Sequence, residues 1–189
     1  MRYEKGHRTA TRERIVDVAS RRFRAEGVAA VGLTGIMADA GLTNGAFYTH
    51  FSSKDELVKA TLVHAMNERE AALKALGATG GDVGAAIREY LSVAHRDDAA
   101  SGCPSASLLG EIRRQPVETR DAYTAQITAF VDLIAAALPG NAVEARQKAL
   151  AIFGLMAGTL QLARAVSDPV LSQEVLEAGA KTAIALAQG

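Results

Sequence analysis

Between Gly41 and Lys54 the chain crowds hydrogen-bonding side chains, Thr43, Asn44, Tyr48, Thr49, His50 and Lys54, with Gly45 among them and Leu42, Phe47 and Phe51 interleaved. Asparagine carries a donor and an acceptor side by side and can pair with two edge atoms of adenine. Threonine can touch a thymine methyl or a phosphate oxygen, and a glycine lets the backbone approach a partner closely. Phe47 and Phe51, four apart, share one helix face and can pack inward with Leu42. An element that enters a major groove about 12 Å wide needs this division, with short polar groups leading and a bulky apolar heel behind. Lys54 falls in the first turn of a following helix, where an ammonium and free backbone N–H groups together make a phosphate site.

A second kind of chemistry centres on Cys103, the sole cysteine, set between Gly102 and Pro104 at an expected helix start. The helix dipole there favours thiolate, which would make the residue reactive, whereas a buried cysteine behaves as a small inert hydrophobe. As an enzymic nucleophile it would need a base, and His95 is the nearest histidine in the chain. No Gly-rich phosphate loop or oxyanion motif accompanies the pair. His7, His50, His64 and His95 have no metal-ligand spacing with Cys103 or with one another, so neither a metal nor a cofactor is expected. Tyr90, Tyr123, Phe130, Met66 and Phe153 are candidates to line a small-molecule pocket, although such residues at helical spacing also build cores.

These residues need helices to hold them. Thr9 or Thr11 can cap a first helix with Ile15, Val18, Ala19 and Phe23 on one stripe, which Gly27 ends. Leu33, Ile36, Met37 and Ala40 give a short second helix closed by Gly41, and Thr43 can cap a third over residues 44–50. Short helix, glycine turn, short helix is the helix-turn-helix pattern. Ser53 with Glu56 reads as a capping box for a fourth helix through Leu57, Leu62 and Met66, broken by the glycines from Gly77 on. Asp82 can cap the next, Pro104 and Pro116 bound a short one, and three more span about 117–138, 142–166 and 169–187. The reading is all-α, with about nine helices, divided into a helix-turn-helix unit (1–60) and a second helical unit (61–189).

Composition supports this and narrows the partners. With 49% hydrophobic residues and 21 basic against 21 acidic ones, the chain is far from the disordered regime. Eight basic residues against three acidic lie within the first 24, whereas residues 61–189 hold 11 basic and 14 acidic. Such asymmetry suits a polyanion at one end, or a solvated helix face. One cysteine makes no intrachain disulfide, and the first ten residues lack the apolar core of a signal peptide, so a cytoplasmic site is expected. Residues 149–163, the longest uncharged run, are too few for a membrane helix, which needs about 20.

The segment Gly41-Leu42-Thr43-Asn44-Gly45-Ala46-Phe47-Tyr48-Thr49-His50-Phe51, followed by Ser53-Lys54-Asp55-Glu56-Leu57, resembles the amino-terminal domain of TetR-family (tetracycline-repressor-like) transcriptional regulators. The resemblance extends back through Ile15, Ala19, Phe23 and Gly27 and covers roughly residues 9–60. It implies a regulator, most often a repressor, that binds a near-palindromic DNA operator as a homodimer and responds to a small molecule or electrophile. Tyr48 and His50 would hold phosphates. Arg2, Lys5 and Arg8 would form a mobile arm along the backbone or in a minor groove, or a tail of no consequence. Gly35 and Asn44 depart from what the family often shows, which puts any operator borrowed from another member in doubt. The resemblance also implies a four-helix dimer interface from the last two helices, with Phe153, Gly154, Gly158, Leu162, Ala180 and Ile184 as its candidates, and a thiol sensor at Cys103 beside Tyr90, Tyr123 and Phe130. A cysteine-dependent enzyme and a purely architectural DNA-binding protein are the alternatives; the second leaves the carboxy-terminal helices without a role.

Overall fold

Ile15, Ala19 and Phe23 are wholly buried on one side of α1 (Arg2–Glu26), as their spacing predicts, and the helix ends where Gly27 turns to φ +88°. The computed structural model describes residues 2–80 and 82–189, and side chains from residue 6 on apart from residue 81. After α1 come α2 (Leu33–Asp39), α3 (Asn44–Phe47), α4 (Lys54–Ala78), α5 (Val83–Tyr90), α6 (Val93–Asp97), α7 (Pro104–Ile112), α8 (Val117–Ala135), α9 (Ala142–Ala165) and α10 (Pro169–Gln188). Among the described residues there is no strand.

Among the described residues ten helices replace the expected nine, because the helix opened by Asp82 breaks after Tyr90. The Tyr90 carbonyl, which a continuing helix would give to the N–H of residue 94, instead lies 2.7 Å from His95 Nδ1. Ser92 Oγ then accepts from the His95 N–H at 3.1 Å and starts α6. The amino terminus also differs from expectation. Residues 2–8 continue α1 rather than forming an arm, and Arg8 Nη2 donates to the Thr49 carbonyl at 2.8 Å. The side chains of Arg2 and Lys5 lie outside the described residues. Gly77 sits within α4, which ends at Thr79 before Gly80 takes φ +81°. Ser53 accepts from the Glu56 N–H, but Glu56 reaches back to Ser52 (N 2.7 Å, Oγ 2.8 Å), so the reciprocal half of the expected box is shifted by one residue.

Two apolar clusters organise the molecule. The first joins Ile15, Phe23, Ile36, Phe47, Phe51 and Leu57 to Leu108 and Ile112 of α7. The second gathers residues of α4–α10, including Tyr90, Phe130, Ile152, Leu160, Leu176 and Ala183. Helix α4 serves both, Leu62 in the first and Met66 in the second. Helices α9 and α10 make the largest helix pairing. They approach most closely at Gly179, where a Cβ would collide with the Thr159 side chain.

Candidate nucleic-acid interface and ligand cavity

The turn between α2 and α3 is a Schellman motif. The Leu42 N–H reaches the Met37 carbonyl (2.8 Å), the Gly41 N–H reaches Ala38 (2.9 Å), and Gly41 takes φ +68°. Beyond it α3 keeps only four helical residues, and 48–50 continue as turns on the Ala46 and Phe47 carbonyls. Phe47 and Phe51 are buried and stacked with centroids 5.6 Å apart, forming the apolar heel. Thr43, Asn44, Gly45, Tyr48 and Thr49 face solvent, Tyr48 with 71% of its surface exposed. Five of the seven residues expected to contact DNA are therefore exposed, two of them already engaged. Asn44 Nδ2 donates to Thr34 Oγ1 at 3.0 Å, and the Thr49 hydroxyl donates to the Ala46 carbonyl at 2.7 Å. A Cβ at Gly45 would meet nothing within 4 Å, so the fold itself does not require glycine there. His50 is half-buried with an unpartnered Nδ1, and burial, then Arg8 and Arg12, hold its pKa below the ordinary histidine value.

Lys54 is where the structure departs most from expectation. Its ammonium donates to the carbonyls of Val28 (2.6 Å) and Val31 (2.7 Å) and lies 5.9 Å from the Phe23 ring centre. Two of its three N–H groups are thus committed to the α1–α2 loop. The same loop is gripped from the other side by Glu111 of α7, whose carboxylate accepts from the N–H groups of Val28 (3.2 Å) and Ala29 (3.1 Å). At Gly27 a Cβ would stand 2.8 Å from that carboxylate, so close approach as well as positive φ calls for glycine. Gly35 has a similar reason, since a Cβ there would collide with the Arg22 guanidinium, which bridges Glu26 (2.8 Å) and Asp39 (3.2 Å).

Residues 15–61 match the family profile described as "Bacterial regulatory proteins, tetR family". The chain thus carries a TetR-family amino-terminal domain. Over 52 residues it is 48% identical to the HTH-type transcriptional regulator TtgR of Pseudomonas putida, a match covering 28% of this chain and 25% of that protein. The chain thus spans about a quarter of the length of the curated relatives it matches. The whole fold is like those of TetR-family structures from Agrobacterium tumefaciens (TM-score 0.76, 20% identity, 96% of this chain and 100% of that one) and Cytophaga hutchinsonii (TM-score 0.77, 18% identity, 95% and 96%).

Beyond the matched domain a cavity of about 700 Å³ opens among α4, α5, α8 and α9. Of the four residues expected at an effector site, Tyr90 and Phe130 line it; Cys103 and Tyr123 do not. Tyr123 turns to α7, its hydroxyl 2.7 Å from Ser105 Oγ, and burial pushes its pKa up to about 12. Cys103 is the residue that precedes α7 and is only 1% exposed. Its N–H donates to His95 Nε2 (3.0 Å), which makes Nδ1 the protonated nitrogen that donates to Tyr90. Both ring nitrogens are therefore occupied by backbone and not by the thiol, so the pair is not arranged as nucleophile and base. Burial, as the largest cause, holds the His95 pKa below its ordinary value. Met66 and Phe153 belong to the second core rather than to the cavity wall.

The candidate dimer residues also divide. Phe153 is turned inward, with its ring 5.4 Å from that of Phe130, and Ala180 and Ile184 pack half-buried against the core. Gly154, Gly158 and Leu162 are exposed and, with Leu150, form a ridge of residues four apart along α9. Leu150 and Leu162 expose 49% and 52% of their surface. A Cβ at Gly154 or Gly158 would meet nothing within 4 Å, so close helix approach inside the chain is not their role; it is that of Gly179.

Sequence reasoning missed the residues that tie the elements together. Arg24, in α1, is buried and donates to the Ser20 (3.2 Å) and Gly102 (2.9 Å) carbonyls. Arg164 donates to the His95 (2.6 Å) and Arg96 (3.0 Å) carbonyls and to Ser107 Oγ. Only the position of Arg164, ending a long uncharged run, hinted at an internal role. Histidine spacing also concealed a convergence of Asp17, His64 and Glu68, whose ligand atoms lie within 4.8 Å of one another. Arg21 (3.3 Å from Asp17) and Arg24 (3.6 Å from Glu68) already balance the two carboxylates.

Proposed function

We propose that this chain is a ligand-responsive transcriptional regulator, most often acting as a repressor, that binds a near-palindromic DNA operator as a homodimer in the cytoplasm. The observation that carries the reading is the exposed polar face of Thr43, Asn44, Gly45, Tyr48 and Thr49 over the buried Phe47 and Phe51, within the matched domain. Residues 1–60 act as the reading head and 61–189 as the effector and dimerisation unit. Asn44 exchanges its bond to Thr34 for a base edge, Tyr48, Thr49 and His50 hold phosphates, and Lys54 fixes the loop behind them with one N–H to spare. The exposed ridge of Leu150, Gly154, Gly158 and Leu162 supports pairing through α9 and α10, since small residues between leucines let two helices approach closely. The effector binds noncovalently in the cavity, because a thiol 1% exposed gives an electrophile little access. The chain is not an enzyme on this reading.

A binding-site selection on random DNA tests it. The wild type enriches an inverted repeat, and Asn44→Ala relaxes one position in each half-site, at a cost of about 1–3 kcal/mol. Binding that never rises above the non-specific level would refute the assignment.

A further inference from the structure

The cavity wall is apolar almost throughout, with Leu73, Ile87, Phe130, Ile134 and Met156 among its residues. Four charged side chains also reach it: Arg69, Lys74, Asp82 and Glu89. Three of these keep more than half of their side-chain surface in solvent. Arg69 does not. Its side chain is only 15% exposed, and its guanidinium carbon lies 5.6 Å from the centre of the Tyr90 ring. Among the described residues its one ion pair, Nη2 to Glu89, is long at 3.4 Å and leads to a solvated partner, while its buried Nε–H has no hydrogen-bond partner. A mostly desolvated guanidinium with an unused donor, beside an otherwise greasy space, is costly unless an anion completes it. Nε–H and Nη2 share the edge that grips a carboxylate through two parallel bonds.

We propose that the cavity takes an amphiphilic monoanion, an apolar body ending in a carboxylate, and that Arg69 is its anchor. The inference rests on the reading of the cavity as the effector site. About 700 Å³ lies within the range of small-molecule sites. The apolar lining receives the body, and the head displaces Glu89 from Nη2 as the flexible arginine turns its free edge to the ligand. Charge complementarity selects against a cationic amphiphile, and a neutral one leaves the guanidinium unsatisfied.

Calorimetric titration of the full chain with decanoate, 1-decanol and decylammonium tests this. The wild type is expected to bind decanoate at least ten-fold more tightly than decanol, with decylammonium weakest. Arg69→Met, which keeps an apolar stem, removes the decanoate advantage and leaves decanol within about two-fold. Glu89→Gln frees the anchor and tightens decanoate, an effect that a merely structural role for Arg69 would not produce. Decanol binding as well as decanoate, or an advantage that survives Arg69→Met, overturns the anchor while sparing the cavity as a ligand site. If no probe binds saturably to protein that still binds DNA, the reading of the cavity falls, and the anchor with it.

Discussion

Replacing Lys54 by Met separates two roles that the sequence could not distinguish. The ammonium is bonded to the Val28 and Val31 carbonyls at 2.6 and 2.7 Å, while the stem is half-buried over Phe23. Charge-assisted bonds contribute about 1.5–3 kcal/mol each. Because this site is partly open and water can rehydrate the carbonyls, two bonds at the lower end, discounted for exposure, give a loss of about 2 kcal/mol. For a chain of this size that lowers Tm by roughly 4–8 °C. DNA affinity falls too, since the loop leading into α2 loosens. The dependence of log K on log salt keeps its slope, however, because no phosphate contact is lost. Thermal melts and DNA titrations at four salt concentrations, run on both proteins, give the two numbers. An unchanged Tm with a slope reduced by about one unit would place the ammonium on a phosphate and refute the reasoning.

Three further outcomes are expected. Gly158→Leu should turn a dimer into a monomer by light scattering without lowering secondary structure, because its Cβ meets nothing within the protomer; Gly179→Leu should unfold the α9–α10 pairing itself. His95 is buried and neutral among Arg69, Arg164, Glu89 and Tyr90, with its pKa lowered. Its contribution to stability is therefore complete above the ordinary histidine pKa of about 6.5 and is lost as pH falls toward the folded value, so Tm should drop between pH 7.5 and 5.5, and less in His95→Gln. Cys103 should react with N-ethylmaleimide orders of magnitude more slowly in the native protein than in urea, and rapid native labelling would restore the thiol-sensor reading.

What was legible in the sequence is what local periodicity and capping encode. The stripe of Ile15, Ala19 and Phe23, the glycine at 41, the aromatic heel and the proline starts of α7 and α10 all stand where spacing placed them. The proposed reading face could be drawn from the sequence because its residues are contiguous in the chain. Long-range partners were not. Nothing near Lys54 in sequence signals carbonyls 26 and 23 residues away, and nothing marks Glu111 as a partner of a loop 83 residues earlier. The break at Tyr90 was hidden because it depends on where the His95 ring turns, which periodicity does not encode. The ridge on α9 was legible only in part: an all-round apolar helix implies two burial faces, but only the fold decides that Phe153 takes the inner one and Leu162 the outer.

The two cores are joined so that a change in one is felt in the other. The 25 residues of α4 line the cavity with Leu73 and Leu76 at one end and begin at Lys54, which holds the α1–α2 loop, at the other. A helix rises about 1.5 Å per residue, so Lys54 stands roughly 18 Å from Met66, where α4 passes into the second core. A ligand that tilts α4 by about 5° around that point displaces its first turn by about 1.6 Å. The head cannot absorb this by bending. Glu111 holds the loop N–H groups, Arg24 holds the Gly102 carbonyl, and Leu108 and Ile112 are packed into the first core. Close-packed helices respond to such a push by moving as bodies between discrete arrangements. In the twofold dimer proposed above the shift would apply to both heads, related by the dyad, and a few ångströms of altered spacing would take the two proposed reading helices out of register with successive turns of the groove.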